Sequence, residues 1–238
     1  MELCKAIILK TNHYSDTQKM VYAYSQEKGY ITFISSSFLL RQKKQPIQLM
    51  QISEIEYIEN AKTGIHKLQT ISPLYASPNI YFDIIKMNIL LLWGEVLHLI
   101  LRHEEKNETL FQFITESIEY LNETTQDIGN FNLLFFYRLS GIIGYRIQTD
   151  SWQAGYLFNV QDGCFYPSGQ QHGEISGPNT AHIIYKLCTG SIQEIMEIPL
   201  NQHSRNILLD IVLLYFSVHL NINFNIKSIN VIREVFKT

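Results

Sequence analysis

Cysteine is scarce in this chain. Cys4, Cys164 and Cys188 are the only three in 238 residues, and no two of them form a C-x-x-C pair. An odd set so widely spaced excludes a disulfide framework and suits a reducing compartment, which makes the cytoplasm the expected location. Long apolar runs are missing as well. The two most apolar stretches are Ile80 to Leu101, broken by Asp83, Lys86, Glu95 and His98, and Ile207 to Leu220, broken by Asp210 and His219. Neither reads as a membrane span. The opening "MELCKAIILK" has no apolar run of signal-peptide length behind a basic start, so no export and no membrane association are expected.

An excess of positive charge is also lacking, since the formal net charge is -3. Taken alone, that argues against nucleic acid, but the average hides a division. Residues 1–78 hold nine Lys/Arg against six Asp/Glu, while residues 79–238 hold ten against sixteen. A localised field matters more to a polyanion than the sum, so the front of the chain is the candidate nucleic-acid surface.

Signatures of catalysis are absent too. There is no G-x-S-x-G, no G-x-x-x-x-G-K-[ST], no G-x-G-x-x-G and no H-E-x-x-H. Glu95-x-x-His98 is half of a di-iron helix motif without a second copy, and reads as a satisfied pair in a helical core. Arg102-His103-Glu104-Glu105-Lys106 reads as the solvated end of a helix. Cys164, His172, His182 and Cys188 are separated by seven, nine and five residues, unlike the paired knuckles that hold tetrahedral zinc. The expectation is a protein with no catalytic residues, no metal site and no cofactor.

What the chain does have is core-forming material: 46% hydrophobic and 12% aromatic residues, with 17% charged, typical of an ordered globular protein. Five runs rich in Ile, Val, Tyr and Phe, at Leu3 to Leu9, Lys19 to Ser25, Tyr30 to Ser35, Ile47 to Ile58 and Ile65 to Ile71, are separated by turn residues. Glu54, Ile55, Glu56 and Tyr57 alternate as a strand with one wet face must. Five short strands in about 75 residues fit a small closed barrel of the OB type, which leaves no exposed sheet edge.

After Ser77-Pro78 the period changes to that of helices. Ser77 can cap and Pro78 can open a helix, followed by a buried helix over Ile80 to Arg102 and an amphipathic one presenting Leu110, Ile114, Ile118 and Leu121. A third spans Asn130 to Ile143 and ends at Gly144. The glycine-rich stretch from about 149 to 178 predicts an irregular insert with a hairpin. Helices resume at Pro178 to Leu187, Asn201 to Leu220 and Ser228 to Phe236. The fold expected is α+β: a five-stranded OB-type barrel over residues 1–78 and a mainly helical domain over 79–238 carrying that insert.

Lys10, Tyr14, Lys19, Lys28, Arg41, Lys43 and Lys44 fall at strand ends or in loops, where they could follow a phosphate backbone without disturbing a core. Tyr14, Tyr22, Tyr24, Tyr30 and Phe33 supply rings on which bases could stack. Taken singly, residues of these types read first as ordinary surface lysines and core tyrosines; Arg41, Lys43 and Lys44 stand out because one loop carries all three.

The order of these features resembles the RecO family of bacterial DNA repair proteins. "KAIILKTNHYSDTQKMVYAYSQEKGYITFI" is similar to the family's opening strands, with Ser25-Gln26-Glu27-Lys28-Gly29 in its T-x-E-x-G turn. "QPIQLMQISEIEY", "FDIIKMNILLLWGEVLHLILRHEEKNETLFQFI", "NFNLLFFYRLSGIIGY" and "IKSINVIREVF" resemble later segments in the same order. The resemblance implies a recombination mediator that binds single- and double-stranded DNA and anneals complementary strands. It also implies a partner, RecR, with which recombinase is loaded onto DNA coated by single-strand-binding protein, and contact with that protein's acidic, Phe-ended tail. Arg138 and Arg146 are the candidates for that tail.

Two departures stand out. Many members carry a four-cysteine zinc site after the helix ending in G-Y, whereas "RIQTDSWQAGYLFNVQDGCFYPSG" keeps only Cys164, so Trp152, Tyr156, Phe158 and Phe165 are expected to pack the insert instead. The basic loop "SSSFLLRQKKQP" has three positive charges where longer runs are usual. The alternative function is a helical interaction scaffold that meets DNA only within a complex; a hydrolase ranks last.

Overall fold

The computed structural model describes residues 1–36, 47–74, 78–125, 128–169 and 175–235. By contacts the chain forms two compact units, Met1–Thr124 with Ile226–Ile232, and Thr125–Asn225 with Arg233–Thr238.

In the first unit, β1 (Glu2–Ser15), β2 (Gln18–Ser25), β3 (Gly29–Ser36), β4 (Ile52–Ile58) and β5 (Ile65–Pro73) close into a barrel in the order β1-β2-β3-β5-β4. Neighbours run antiparallel except β3 and β5, which pair in parallel over only Thr32–Ile34 and Ile65–Lys67. The interior holds Cys4, Ala6, Ile8, Val21, Ala23, Ile31, Phe33, Ile55, Tyr57, Leu68 and Ile71. Period-two alternation is what delivers these residues inward. The expected barrel and the helices that follow it are both present.

Two strand boundaries differ from expectation. β1 continues past Leu9 to Ser15 because a shift in register between Ile8 and Lys10 lets it go on pairing with β2, down to a two-residue turn at Asp16-Thr17. β4 starts at Ile52 and not at Ile47. Met50 sits in the left-handed region (φ 58°) with its N–H donating to the Ile8 carbonyl at 2.7 Å, so the chain turns there before it can enter the ladder.

The predicted helix over Ile80 to Arg102 is divided into α1 (Pro78–Phe82) and α2 (Ile84–Ile100). Asp83 causes the break: its backbone is extended and its carboxylate accepts from the N–H groups of Ile85 and Lys86, capping α2. Ser77 lies outside the described residues. α3 (Glu108–Glu123) is capped by Asn107 and buries Leu110, Ile114, Ile118 and Leu121 as spaced.

α2 packs on the outer face of the barrel at β1. Ile7 and Leu9, which alternation points away from the interior, are buried there. Gly94 permits the close approach, since a Cβ at that position would lie 2.8 Å from the Leu9 carbonyl oxygen. Gly29 is required twice over. Its φ is +74°, and a Cβ would come within 2.5 Å of the Glu105 backbone. α8 (Ser228–Val235) joins this unit through Ser228, whose N–H and hydroxyl both donate to Glu95 Oε2, at 2.9 and 2.7 Å.

The second unit is built around α4 (Gly129–Ile142), buried on nearly every side, with α5 (Pro178–Thr189), α6 (Ile192–Met196) and α7 (Gln202–Leu220). Gly144, with φ 93°, follows the end of α4 as expected. α6 was not anticipated, although its capping box, Ser191 with Glu194, is legible as S-x-x-E. The insert forms a three-stranded sheet of β6 (Leu157–Asn159), β7 (Cys164–Tyr166) and β8 (Ile175–Ser176), ordered β7-β6-β8.

Candidate nucleic-acid interface

The expected DNA-contacting side chains divide along the barrel. Lys10, Tyr14 and Lys19 belong to the β1–β2 hairpin, where Lys10 pairs with Tyr22 and Lys19 with His13. Tyr14 is 64% exposed near the hairpin tip. Lys28 lies in the β2–β3 turn at the other end of β2, about 20 Å from Lys19 at the usual rise per residue. Its ammonium faces Glu59 at 3.9 Å, which offsets its charge. Arg41, Lys43 and Lys44 lie outside the described residues, in the segment that follows Ser36, and Ser36 pairs with Gln18.

The tyrosines expected to stack bases are placed otherwise, and this corrects the sequence reading. Phe33 and Tyr24 are fully buried, Phe33 inside the barrel against Tyr57 and Tyr24 with its hydroxyl donating to the Glu105 carbonyl at 3.0 Å. Tyr22 and Tyr30 pack against His98 of α2, with ring centroids 4.8 and 6.0 Å away. The physical reasons differ: alternation points Phe33 into the barrel, His98 of α2 meets Tyr22 and Tyr30, and the segment after α2 covers Tyr24. Tyr14 alone of the five stays exposed.

His98 is the centre of that contact. Tyr30 Oη lies 2.9 Å from Nδ1, and an Arg102 guanidinium nitrogen lies 3.4 Å from Nε2. Guanidinium can only donate, so Nε2 accepts and the neutral ring carries its proton on Nδ1. Burial, with the charges of Lys10 and Arg102 adding to it, lowers the His98 pKa to about 4. Arg102 at the end of α2 thus meets, through His98, a ring that also contacts Tyr22 and Tyr30 of the barrel, a link that reading Arg102 as a solvated helix end does not give. Glu95 does not face His98's partners; it accepts from Ser228.

One open groove lies on the barrel side that α2 leaves free. Its volume is about 760 Å³, and Gln18, Ile34, Ser35, Asn60, Ile65 and Lys67 are among its lining residues. It arises because β3 and β5 stay paired for only three residues. Lys67 was not singled out in sequence: only barrel closure brings β5 beside β3, and nothing in the local pattern signals that.

In the second unit, Arg138 donates to the Gly190 carbonyl at 2.6 Å and is half-buried, while Arg146 is exposed. Both charges act on Cys188, whose thiol burial nevertheless pushes up to about 12. The two candidate tail-binding arginines are thus neighbours of one cysteine, but only Arg146 has its charge in solvent.

The residues present do not fit the zinc site of the wider family. Cys164 is the insert's one cysteine, and its thiol donates to the Asp162 carbonyl at 3.3 Å. His182 is beside Trp152, Cys188 lies by Arg138, and His172 is outside the described residues. Among the described residues no three His, Cys, Asp or Glu side chains converge on a metal position. Aromatic packing fills the insert. Phe158 and Phe165 are buried against each other, with Tyr215 of α7 beside Phe158, and Trp152 stacks on Tyr185 at 4.3 Å. Tyr156 is half-buried. No helix among the described residues is long and apolar enough to cross a membrane.

Comparison with known proteins places this architecture. Residues 81–227 match the family model described as Recombination protein O C terminal. The chain is 26% identical to the DNA repair protein RecO of Phocaeicola vulgatus over 97% of both chains. It is 27% identical to that of Christiangramia forsetii over 98% of both, and 28% identical to that of Bacteroides fragilis over 97% of both. A barrel followed by helices, a family match across well over half the chain and relatives aligned over almost their whole length agree: the chain belongs to the RecO family of DNA repair proteins.

Proposed function

We propose that this chain is a recombination mediator acting without a catalytic centre of its own: it binds single- and double-stranded DNA, anneals complementary strands and, with RecR, helps load recombinase onto DNA coated by single-strand-binding protein. Family membership is the observation that carries this reading, and the partly exposed Lys10 and Lys19 of the barrel's first hairpin support it. Lys10, Lys19 and Tyr14 on the hairpin, Lys28 at the far turn, and Arg41, Lys43 and Lys44 in the sequence after β3 would contact the DNA backbone through counterion release and without sequence choice. Annealing needs no nucleophile or metal; it needs two strands held close with bases accessible. Arg146, with Arg138 behind it, would take the acidic tail of single-strand-binding protein. The setting proposed is the cytoplasm.

A second reading has an observation in its favour. Among the described residues Tyr22 and Tyr30 pack on His98 of α2 and Tyr24 on the segment that follows it, so Tyr14 is the one exposed ring of the five, which suits a scaffold that holds DNA only inside a complex with RecR. A mobility-shift titration of the purified chain over several salt concentrations, with and without RecR, separates the two. Salt-sensitive binding by the chain alone supports the mediator, binding only with RecR supports the scaffold, and no binding under either condition refutes both.

A further inference from the structure

We infer that the first half of α2 is a self-association surface: two copies of this chain pair across a twofold axis at Met87, with the two helices antiparallel. The inference goes beyond the function proposed above and does not depend on it.

The starting observation is an apolar stripe that the fold leaves uncovered. Phe82, at the end of α1, is 91% exposed, and Ile84, Met87 and Leu91 of α2 are 70%, 48% and 38% exposed. Spacings of three and four residues put the last three on one side of the helix. The other side is spent on the core of the first unit, where Ile89, Leu90, Leu92 and Trp93 are buried. The four uncovered side chains present roughly 400 Å² of apolar surface, a patch of the size that is often functional on a monomer.

Two features commit this stripe to a second copy. The first is its order. Ile84 stands three residues before Met87 and Leu91 four after it, so the stripe reads aliphatic, methionine, aliphatic from either end. Antiparallel pairing sets Ile84 of one copy on Leu91 of the other and Met87 on its own counterpart, the self-complementarity that a twofold contact requires. A flexible thioether suits the axis, where a side chain must fit against itself.

The second feature is the charge at the two ends. Asp83, whose carboxylate caps α2, closes the N-terminal end. At the other end Glu95 holds both donors of Ser228, which brings the exposed Lys227 there. Antiparallel pairing sets Asp83 of each copy toward Lys227 of the other, whereas parallel pairing sets like charges together. Area then fixes the strength: roughly 400 Å² a side is about half of what each partner buries in a standard stable interface, so the dimer forms with concentration and is not obligate. On the mediator reading such a dimer carries two barrels, one for each strand to be annealed, but the association is tested without DNA.

The test is sedimentation equilibrium of the full chain over about a hundredfold range of concentration. The parent should rise from the mass of one chain toward that of two. Met87→Glu should raise the concentration needed by at least about tenfold, and Lys227→Glu by about threefold, while Val218→Glu, at an exposed apolar position on α7, should leave it unchanged. Met87→Cys should form a disulfide-linked dimer on mild oxidation, because a cysteine on a twofold axis faces its own copy, and the parent and Val218→Cys should not. A parent that stays monomeric throughout, association indifferent to Met87→Glu or to Lys227→Glu, or no cross-link through Met87→Cys would each overturn the inference and leave the mediator reading standing. If Met87→Glu melts below the parent, Met87→Gln carries the same comparison.

Discussion

The Tyr30 hydroxyl and the His98 Nδ1 sit 2.9 Å apart, joining the third strand of the barrel to the helix that covers it. Around this bond the imidazole is buried, and Lys10 and Arg102 are its nearby charges. Its consequences are measurable.

Stability should fall as the solution is acidified through the histidine range. His98 has a pKa of about 4 in the folded chain against an ordinary value of 6.5, so the unfolded chain binds the proton first and folding stability is lost between pH 6.5 and 4. The size is up to about 3 kcal/mol from this group, with His66, also lowered by burial, acting in the same direction. Urea titrations at pH 7.5 and 5 on the parent and on His98→Gln check this: the variant should be less stable at pH 7.5 and show a shallower pH dependence.

Replacing Gly29 by alanine should destabilise the first unit by more than about 2 kcal/mol, since the backbone is left-handed and the added methyl meets the Glu104–Lys106 backbone. Gly64 has a similar φ, +66°, with nothing within 4 Å, so Gly64→Ala should cost only about 1 kcal/mol. Denaturation midpoints of the pair separate backbone strain from steric overlap. Equal losses would mean that the 104–106 segment gives way.

Changing Arg41, Lys43 and Lys44 together to alanine should weaken DNA binding and reduce the slope of log affinity against log salt by about 2 to 3. Unchanged affinity at low salt would count against these three residues.

For the acidic tail, Arg146→Glu should abolish binding of a Phe-ended acidic peptide in calorimetry while leaving the melting temperature alone, because the side chain is exposed. Arg138→Gln should lower the melting temperature as well, since it leaves the Gly190 carbonyl without its donor.

Purified chain should contain no stoichiometric zinc, and a chelator should leave its melting curve in place, because Phe158, Phe165 and Tyr215 hold the insert. Loss of the second unit on chelation, followed by spectroscopy, would contradict this account.

Local signals made the architecture legible. Runs of Ile, Val, Tyr and Phe between turn residues marked the five strands, the spacing of Leu110, Ile114, Ile118 and Leu121 marked a helix, and Gly144 followed the end of another. What failed locally was subtler: Asp83 acted as a cap within an apolar run, and Met50 took a left-handed turn that no residue preference announces. The candidate site was only partly legible. Charge is local in sequence, so Lys10 and Lys19 were visible, but the fate of Tyr22 and Tyr30 depends on a helix, and that of Tyr24 on the segment after it, more than fifty residues later. The position of Lys67 likewise depends on which strands meet when the barrel closes.

The contact between Glu95 and Ser228 spans 133 residues, and Ile226–Ile232 belongs with the unit formed by Met1–Thr124. During synthesis the ribosome must therefore deliver the whole intervening stretch before that carboxylate receives its donors. The leading module emerges early yet stays unfinished until late in translation, so a premature stop before Ser228 would leave the barrel's own unit, as well as the helical one, incomplete.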